Sequence, residues 1–186
     1  MYKRQDTPYA KSKILAEEYL TKWCKMHNVI LGILRPSLLA GKGAPGNLGA
    51  MVNGVKKGYY LNIAGGRAVK SILMAEDIAR IMPALVKKGG VYNVCDTFQP
   101  TFGQISESVA NQLGKRKPMS IPMWMAKCMA FVGDFLGSKV PINSYKLEKM
   151  TKNLTFSNEK ARKELGWEPL DVLTLSLIHI SEPTRL

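Results

Sequence analysis

Six apolar residues in a row, Val29-Ile30-Leu31-Gly32-Ile33-Leu34, restrict the fold of this chain more than any other feature. Alternating polar residues would leave one face of a strand in water. A continuous run has both faces covered, which is the pattern of a strand inside a parallel sheet with helices on either side. What precedes it is helical: Leu15, Tyr19, Leu20 and Trp23 recur at helical spacing, while Lys11, Glu18, Lys22 and Lys25 fall elsewhere. A helix over residues 9–26 therefore feeds the strand, which Pro36 ends. A second core strand, Val91-Tyr92-Asn93-Val94, follows a helical stretch over 76–88 marked by Ile78, Ile81, Met82 and Leu85. Pro83 can kink that helix, and Gly89-Gly90 breaks it.

Helices alternating with buried strands predict an α/β protein with a parallel sheet. Between these anchors, residues 41–46 read as a loop, 47–57 as a helix and 59–63 as a short strand ending in a Gly65-Gly66 turn. Thr101 and Gln104 form a capping box for a helix reaching Leu113 and stopped by Gly114. A Met-rich helix is predicted over 123–135, and a last helix runs from Ser157 or Asn158 to Gly166. Two core strands make a poor sheet by themselves. The expected architecture is thus a partial, Rossmann-like parallel sheet with a small, mostly helical lobe.

The termini are expected to stand apart from this fold. Met1-Tyr2-Lys3-Arg4-Gln5 and Leu175-Ser176-Leu177-Ile178-His179 can be encoded by opposite strands of one DNA segment, ATG TAT AAG AGA CAG and its reverse complement. Residues 175–185 also resemble a translated sequencing-library adapter. Native sequence is accordingly expected over 6–174, with 1–5 and 175–186 as adapter-like tails.

Hydrophobic residues make up 46% and charged residues 22% of the chain, the balance of a soluble globular protein. The formal net charge is +13. Such a charge suits nucleic acid, an anionic membrane surface or a phosphate-bearing ligand. Its cations are scattered apart from groups such as Lys87-Lys88 and Lys115-Arg116-Lys117, and no zinc finger or aromatic RNA-binding motif accompanies them. They read as solvated surface, with no nucleic-acid partner expected. The apolar stretch over 121–136 contains Lys127 and Asp134 and is too short to cross a bilayer, and the N-terminal residues are not a hydrophobic segment, so no membrane partner is expected. Cys24, Cys95 and Cys128 fit neither a disulfide framework nor a metal cluster and read as buried thiols in a reducing cytoplasm, the expected location. Met119, Met123, Met125 and Met129, with Trp124 and Phe131, suggest either packing within the lobe or an adaptable lid.

Tyr9 and Lys13 lie four apart, on one helix face one turn from each other. A phenol with an ammonium beside it suits acid/base work, because the positive charge favours the phenolate. Such a tyrosine can take a proton from a substrate hydroxyl as hydride leaves the same carbon. Tyr145 and Lys149 repeat the spacing, in a Lys-rich segment with no buried strand after it, and read as a solvated helix face.

The words Tyr9-Ala-Lys-Ser-Lys13-Ile-Leu-Ala-Glu17-Glu resemble the catalytic helix of extended short-chain dehydrogenases of the NAD-dependent nucleotide-sugar epimerase/dehydratase family. Further likenesses follow in family order. Leu34-Arg35-Pro36-Ser37 resembles the strand end that meets the nicotinamide, and Asn47-Leu48 the loop at the substrate nucleotide. Residues 70–77, 91–94, the helix after Thr101 and the stretch 161–169 complete the likeness over 6–174.

The resemblance implies Tyr9 and Lys13 as catalytic residues and Tyr9, Lys13, Pro36 and Ser37 at the cofactor, NAD, with NADP as the other possibility. It implies Asn47, Leu48 and Lys70 at the substrate, a nucleotide sugar, and a homodimeric parent protein. Tyr9 would deprotonate a sugar hydroxyl at C4, and the keto intermediate would be reduced on its other face, as in a UDP-hexose 4-epimerase. A 4-ketoreductase or a dehydratase would use the same pair. From another class, a non-catalytic basic binding module fits the charge. The chain departs from the family in having Lys70 where an arginine usually meets the substrate diphosphate, a point charge without the bidentate fork. A second family arginine has no clear match between Lys146 and Lys152. The glycine-rich phosphate turn, the ribose-reading acid and the catalytic Ser or Thr of the family would all precede Tyr9, so this chain alone is expected to bind cofactor weakly or not at all and to be inactive.

Overall fold

The computed structural model describes residues 8–41, 46–136 and 142–175. Both adapter-like tails apart from Leu175, and loop residues 42–45, lie outside the described residues. The elements are α1 (Pro8–Met26), β1 (Gly32–Pro36), β2 (Leu38–Ala40), α2 (Gly46–Lys57), β3 (Asn62–Ile63), β4 (Ile72–Met74), α3 (Ala75–Lys88), β5 (Gly90–Val94), α4 (Phe102–Gln112), β6 (Ser120–Ile121), α5 (Met123–Leu136), α6 (Ser144–Thr151), α7 (Glu159–Leu165) and α8 (Val172–Leu175).

Three two-stranded parallel ladders organise these elements. β1 runs beside β5 with Gly32 opposite Gly90 and Pro36 opposite Val94. At Ser37 the chain changes partner: its N–H still donates to the Val94 carbonyl at 3.1 Å, but the next N–H, of Leu38, donates to the Ser71 carbonyl at 3.2 Å. β2 then continues along β4. β3 pairs with β6. The architecture is α/β, as the alternation of helices and strands requires.

Two clusters cover the β1/β5 and β2/β4 ladders. Leu48, Met51, Ile72, Met74, Ile105 and Val109 join α2, β4 and α4. Leu73, Ile81, Leu85, Tyr92 and Trp167 join β4, α3, β5 and the segment after α7. A third cluster, Ile63, Ala126, Ala130 and Leu147, holds α5 and α6 together as a helical lobe. Close backbone contact seats the turn at residues 64–66: Gly66 has φ +63°, and a Cβ there would lie 2.5 Å from the Gly103 nitrogen at the start of α4. Only glycine fits both the left-handed backbone and that gap.

Several expectations need correction. β1 begins three residues later than its apolar run, and Val29 and Ile30 are exposed. The strand is half-buried in its middle and exposed at its ends, because α1 buries only Cys24 and leaves its own apolar face open. Cys128 is an exposed thiol, whereas Cys24 and Cys95 are buried. In α5 the alanines face the lobe, while Trp124, Met125, Met129 and Phe131 point outward and Met119 is exposed just before the helix. Packing within the lobe therefore does not account for most of this group. The solvated helix face expected at Tyr145 and Lys149 is present: residues 144–151 form α6 with Tyr145 exposed, capped by Asn143 through its side-chain oxygen.

Candidate functional site

The first turns of α1 and the carboxyl end of β1 are tied together by one ion pair. Arg35 Nε donates to Glu17 Oε1 at 3.1 Å, and its second nitrogen Nη2 donates to Oε2. This two-pronged hydrogen bond holds the Glu17 carboxyl below its ordinary range, with burial opposing it. Glu17 thus meets the strand one residue before its end. The eight residues back to Tyr9 span roughly 12 Å at about 1.5 Å per residue along a helix. Tyr9 therefore lies about two helical turns beyond the Glu17–Arg35 tie, and open α/β sheets bind ligands at the carboxyl ends of their strands.

Lys13 and Tyr9 share one side of α1. The Lys13 ammonium lies 5.5 Å from the Tyr9 ring centroid, within cation–π reach, and the ring is 73% exposed. Ser12 Oγ donates to the Tyr9 carbonyl at 2.8 Å, a local bond that leaves the phenol uncommitted. Tyr145 and Lys149 make a similar pair on α6, with the ammonium 4.2 Å from the ring. The pair geometry does not distinguish the two; the tie to a strand does.

Ser37 stands where β1 hands over from β5 to β4. Its Oγ is buried and has no hydrogen-bond partner, a polar group still owed one. Pro36, its neighbour, is exposed. Asn47 is exposed in the first turn of α2, whereas the Leu48 side chain is 1% exposed inside the core, so only its backbone can face a ligand.

Lys70 is placed differently from its expected role. It is 5% exposed, and its ammonium donates to the Lys149 carbonyl at 2.9 Å and to the Lys152 carbonyl, closing the open end of α6. The Phe102 ring lies 5.1 Å away, and burial pulls the Lys70 pKa down. Three residues earlier, exposed Arg67 lines an open cavity of about 330 Å³ with Ile63, Ala64, Ala68, Pro122, Met123 and Thr151.

Sequence reasoning did not anticipate Arg67, the Glu17–Arg35 pair, or the two acids that clamp the end of the chain. Asp77 accepts from the Leu170 N–H at 2.9 Å and from Arg80 at 2.6 Å; Asp96 accepts from the Val172 N–H at 2.9 Å. Burial pushes both carboxyls up. A signal for the Glu17 pair did exist, since a charged Arg35 ending an apolar strand needs an anion nearby.

The sequence model of the family described as "NAD dependent epimerase/dehydratase family" matches residues 2–95, half of the chain, from the Tyr9 helix through β5. The chain belongs to that family. A relative of known sequence is 25% identical to this chain: the N-acetyl-α-D-glucosaminyl-diphospho-ditrans,octacis-undecaprenol 4-epimerase of Escherichia coli O157:H7. The match covers 82% of this chain and 49% of the relative, so the chain spans about half that protein's length. Among solved structures, the UDP-N-acetylglucosamine 4-epimerase of Bacillus cereus superposes with a TM-score of 0.68 at 14% identity, over 96% of this chain and 55% of that one. The UDP-glucose 4-epimerase of Thermus thermophilus, solved with NAD, gives 0.65 at 20% identity, over 95% and 54%. At these identities the structures establish the shared fold.

Proposed function

We propose that the protein made from the full gene is an NAD-dependent 4-epimerase acting on a sugar carried by a diphosphate, with Tyr9 as acid/base. The observation that carries this reading is the Lys13 ammonium beside the Tyr9 ring on a helix pinned by Glu17 to Arg35 at the end of a parallel strand. Tyr9 takes the proton of the sugar hydroxyl while its carbon is oxidised, and returns one after the carbon is reduced on its other face. The Lys13 charge favours the phenolate that takes the first proton and that is restored when Tyr9 gives one back.

The residues present fit one end of the cofactor. Lys13, Pro36 and the orphaned Ser37 hydroxyl would hold its nicotinamide side at the carboxyl end of β1. Nicotinamide, when bound, accepts and returns the hydride. Toward the substrate, Arg67 takes the phosphate contact expected of Lys70, whose ammonium serves α6, and Asn47 contributes from the first turn of α2. Arginine suits the task through its fork of donors.

The carrier on the diphosphate is a nucleoside, as for the UDP-sugar epimerases that share the fold. The undecaprenol named for the Escherichia coli relative supports a prenyl carrier as a second reading.

The test is direct. The full-gene protein with NAD is incubated with UDP-N-acetylglucosamine and, separately, with an N-acetylglucosaminyl-diphospho-prenol, and products are read by NMR. A 4-epimer from either substrate is expected. A protein that leaves both substrates unchanged but reduces a nucleotide-linked 4-keto sugar with NADPH would be a ketoreductase, and no change with any substrate or cofactor would end the proposal.

A further inference from the structure

The outward side of α5 is apolar along its length. Trp124, Cys128, Phe131 and Phe135 follow one another at helical spacing, opposite the Ala126 and Ala130 that face the lobe. Trp124 is 67% and Phe135 78% exposed, with Met125, Met129 and Val132 also exposed alongside. Phe131 and Phe135 pack edge to face, 5.0 Å between centroids, so the ridge is partly ordered before anything covers it. Contiguous exposed apolar surface of this kind marks an interaction site.

Charge indicates the partner. Lys127 flanks the ridge, and the segment leading to α5 carries exposed Lys115, Arg116 and Lys117 in a chain of net charge +13. Aromatic and aliphatic residues on one helix face with cations beside them are what a helix needs to lie in the interface of an anionic bilayer. At 14 residues α5 extends roughly 21 Å, short of the ~30 Å hydrocarbon core, so it fits along the surface. Among the described residues no helix is long and apolar enough to cross a membrane, which agrees with a helix that lies on one. The expectation of no membrane partner concerned segments that would cross or enter a bilayer and did not address this geometry.

We infer that α5 is a peripheral membrane-docking helix that seats the protein on anionic phospholipid through Trp124, Phe131 and Phe135. The cavity holding Arg67 opens at the foot of this helix, where Pro122 and Met123 form part of its wall. A sugar diphosphate anchored in the bilayer by a prenyl carrier would therefore be presented to Arg67, a consequence that rests on the second reading proposed above.

α1 also exposes apolar residues, Leu15, Tyr19 and Trp23, and Val29, Ile30 and Val91 are exposed before β1 and in β5. The experiment has to separate the two faces. The full-gene protein, Trp124→Ser/Phe131→Ser/Phe135→Ser and Leu15→Ser/Tyr19→Ser are sedimented with vesicles of phosphatidylglycerol and phosphatidylcholine, and with phosphatidylcholine alone. Circular dichroism confirms that each protein is folded. The unmodified protein is expected to sediment with the anionic vesicles and to be released by salt, the α5 variant to lose on the order of tenfold in partition, and the α1 variant to match the unmodified protein. A protein that stays in the supernatant overturns the inference. So does an α5 variant that sediments unchanged, or one whose only effect is to dissociate an oligomer. Epimerisation of UDP-N-acetylglucosamine without vesicles is measured in parallel; its retention in the α5 variant separates lost docking from lost chemistry.

Discussion

Glu17 and Asp77 are both acids held by hydrogen bonds, yet they act on stability in opposite directions as pH changes. Arg35 lowers the Glu17 pKa from 4.5, so its contribution is complete above that value and disappears as pH falls through the lower folded one. Burial raises the Asp77 pKa from 3.8, so the fold disfavours its charged form and loses stability as pH rises from about that value through the raised one. Thermal unfolding from pH 7 to 3 should show the advantage of the native protein over Glu17→Gln shrinking. Its margin relative to Asp77→Asn should move in favour of the native protein over the same range. Parallel curves in both comparisons would contradict these assignments. At this scale the Tyr9/Lys13 pair was legible, because a four-residue spacing fixes a shared helix face. The role of Lys70 was not, because its partners are backbone carbonyls 79 and 82 residues away that no side-chain pattern reports.

Among the elements, the helices were read more closely than the strands. The capping box predicted from Thr101 and Gln104 is formed, with the Gln104 N–H donating to Thr101 Oγ1 at 3.2 Å and the Thr101 N–H to Gln104 Oε1 at 2.9 Å. Thr101→Ala should cost about 1 kcal/mol, measured by denaturant unfolding. Gly66→Ala should cost more, on the order of 1–3 kcal/mol, since it adds a left-handed backbone penalty to overlap with Gly103. An unchanged midpoint would show that the turn yields instead. β2 and β4 have three residues each, too few for a period to emerge. They became strands because Leu38, Ile72 and Met74 fill a space between α2 and α4. β1 was displaced in the reading because Val29 and Ile30 are apolar without being buried by the described residues.

For the whole molecule, the α/β class followed from alternation, but the division into three parallel ladders did not, since their pairing depends on contacts 34 to 58 residues apart. The candidate site draws on separate elements, α1 and β1 for Tyr9 and Lys13 and the cavity wall of Arg67, Pro122 and Met123. Two Tyr/Lys pairs sit on two helices with similar internal geometry, and the account gives chemistry to only one. Turnover of Tyr9→Phe and Tyr145→Phe, each made in the full-gene protein and checked for folding, tests that choice. Loss of kcat by on the order of 10² to 10⁴ in Tyr9→Phe with Tyr145→Phe unchanged is the predicted result. Near-normal epimerisation by Tyr9→Phe, or an equal loss in Tyr145→Phe, would contradict it.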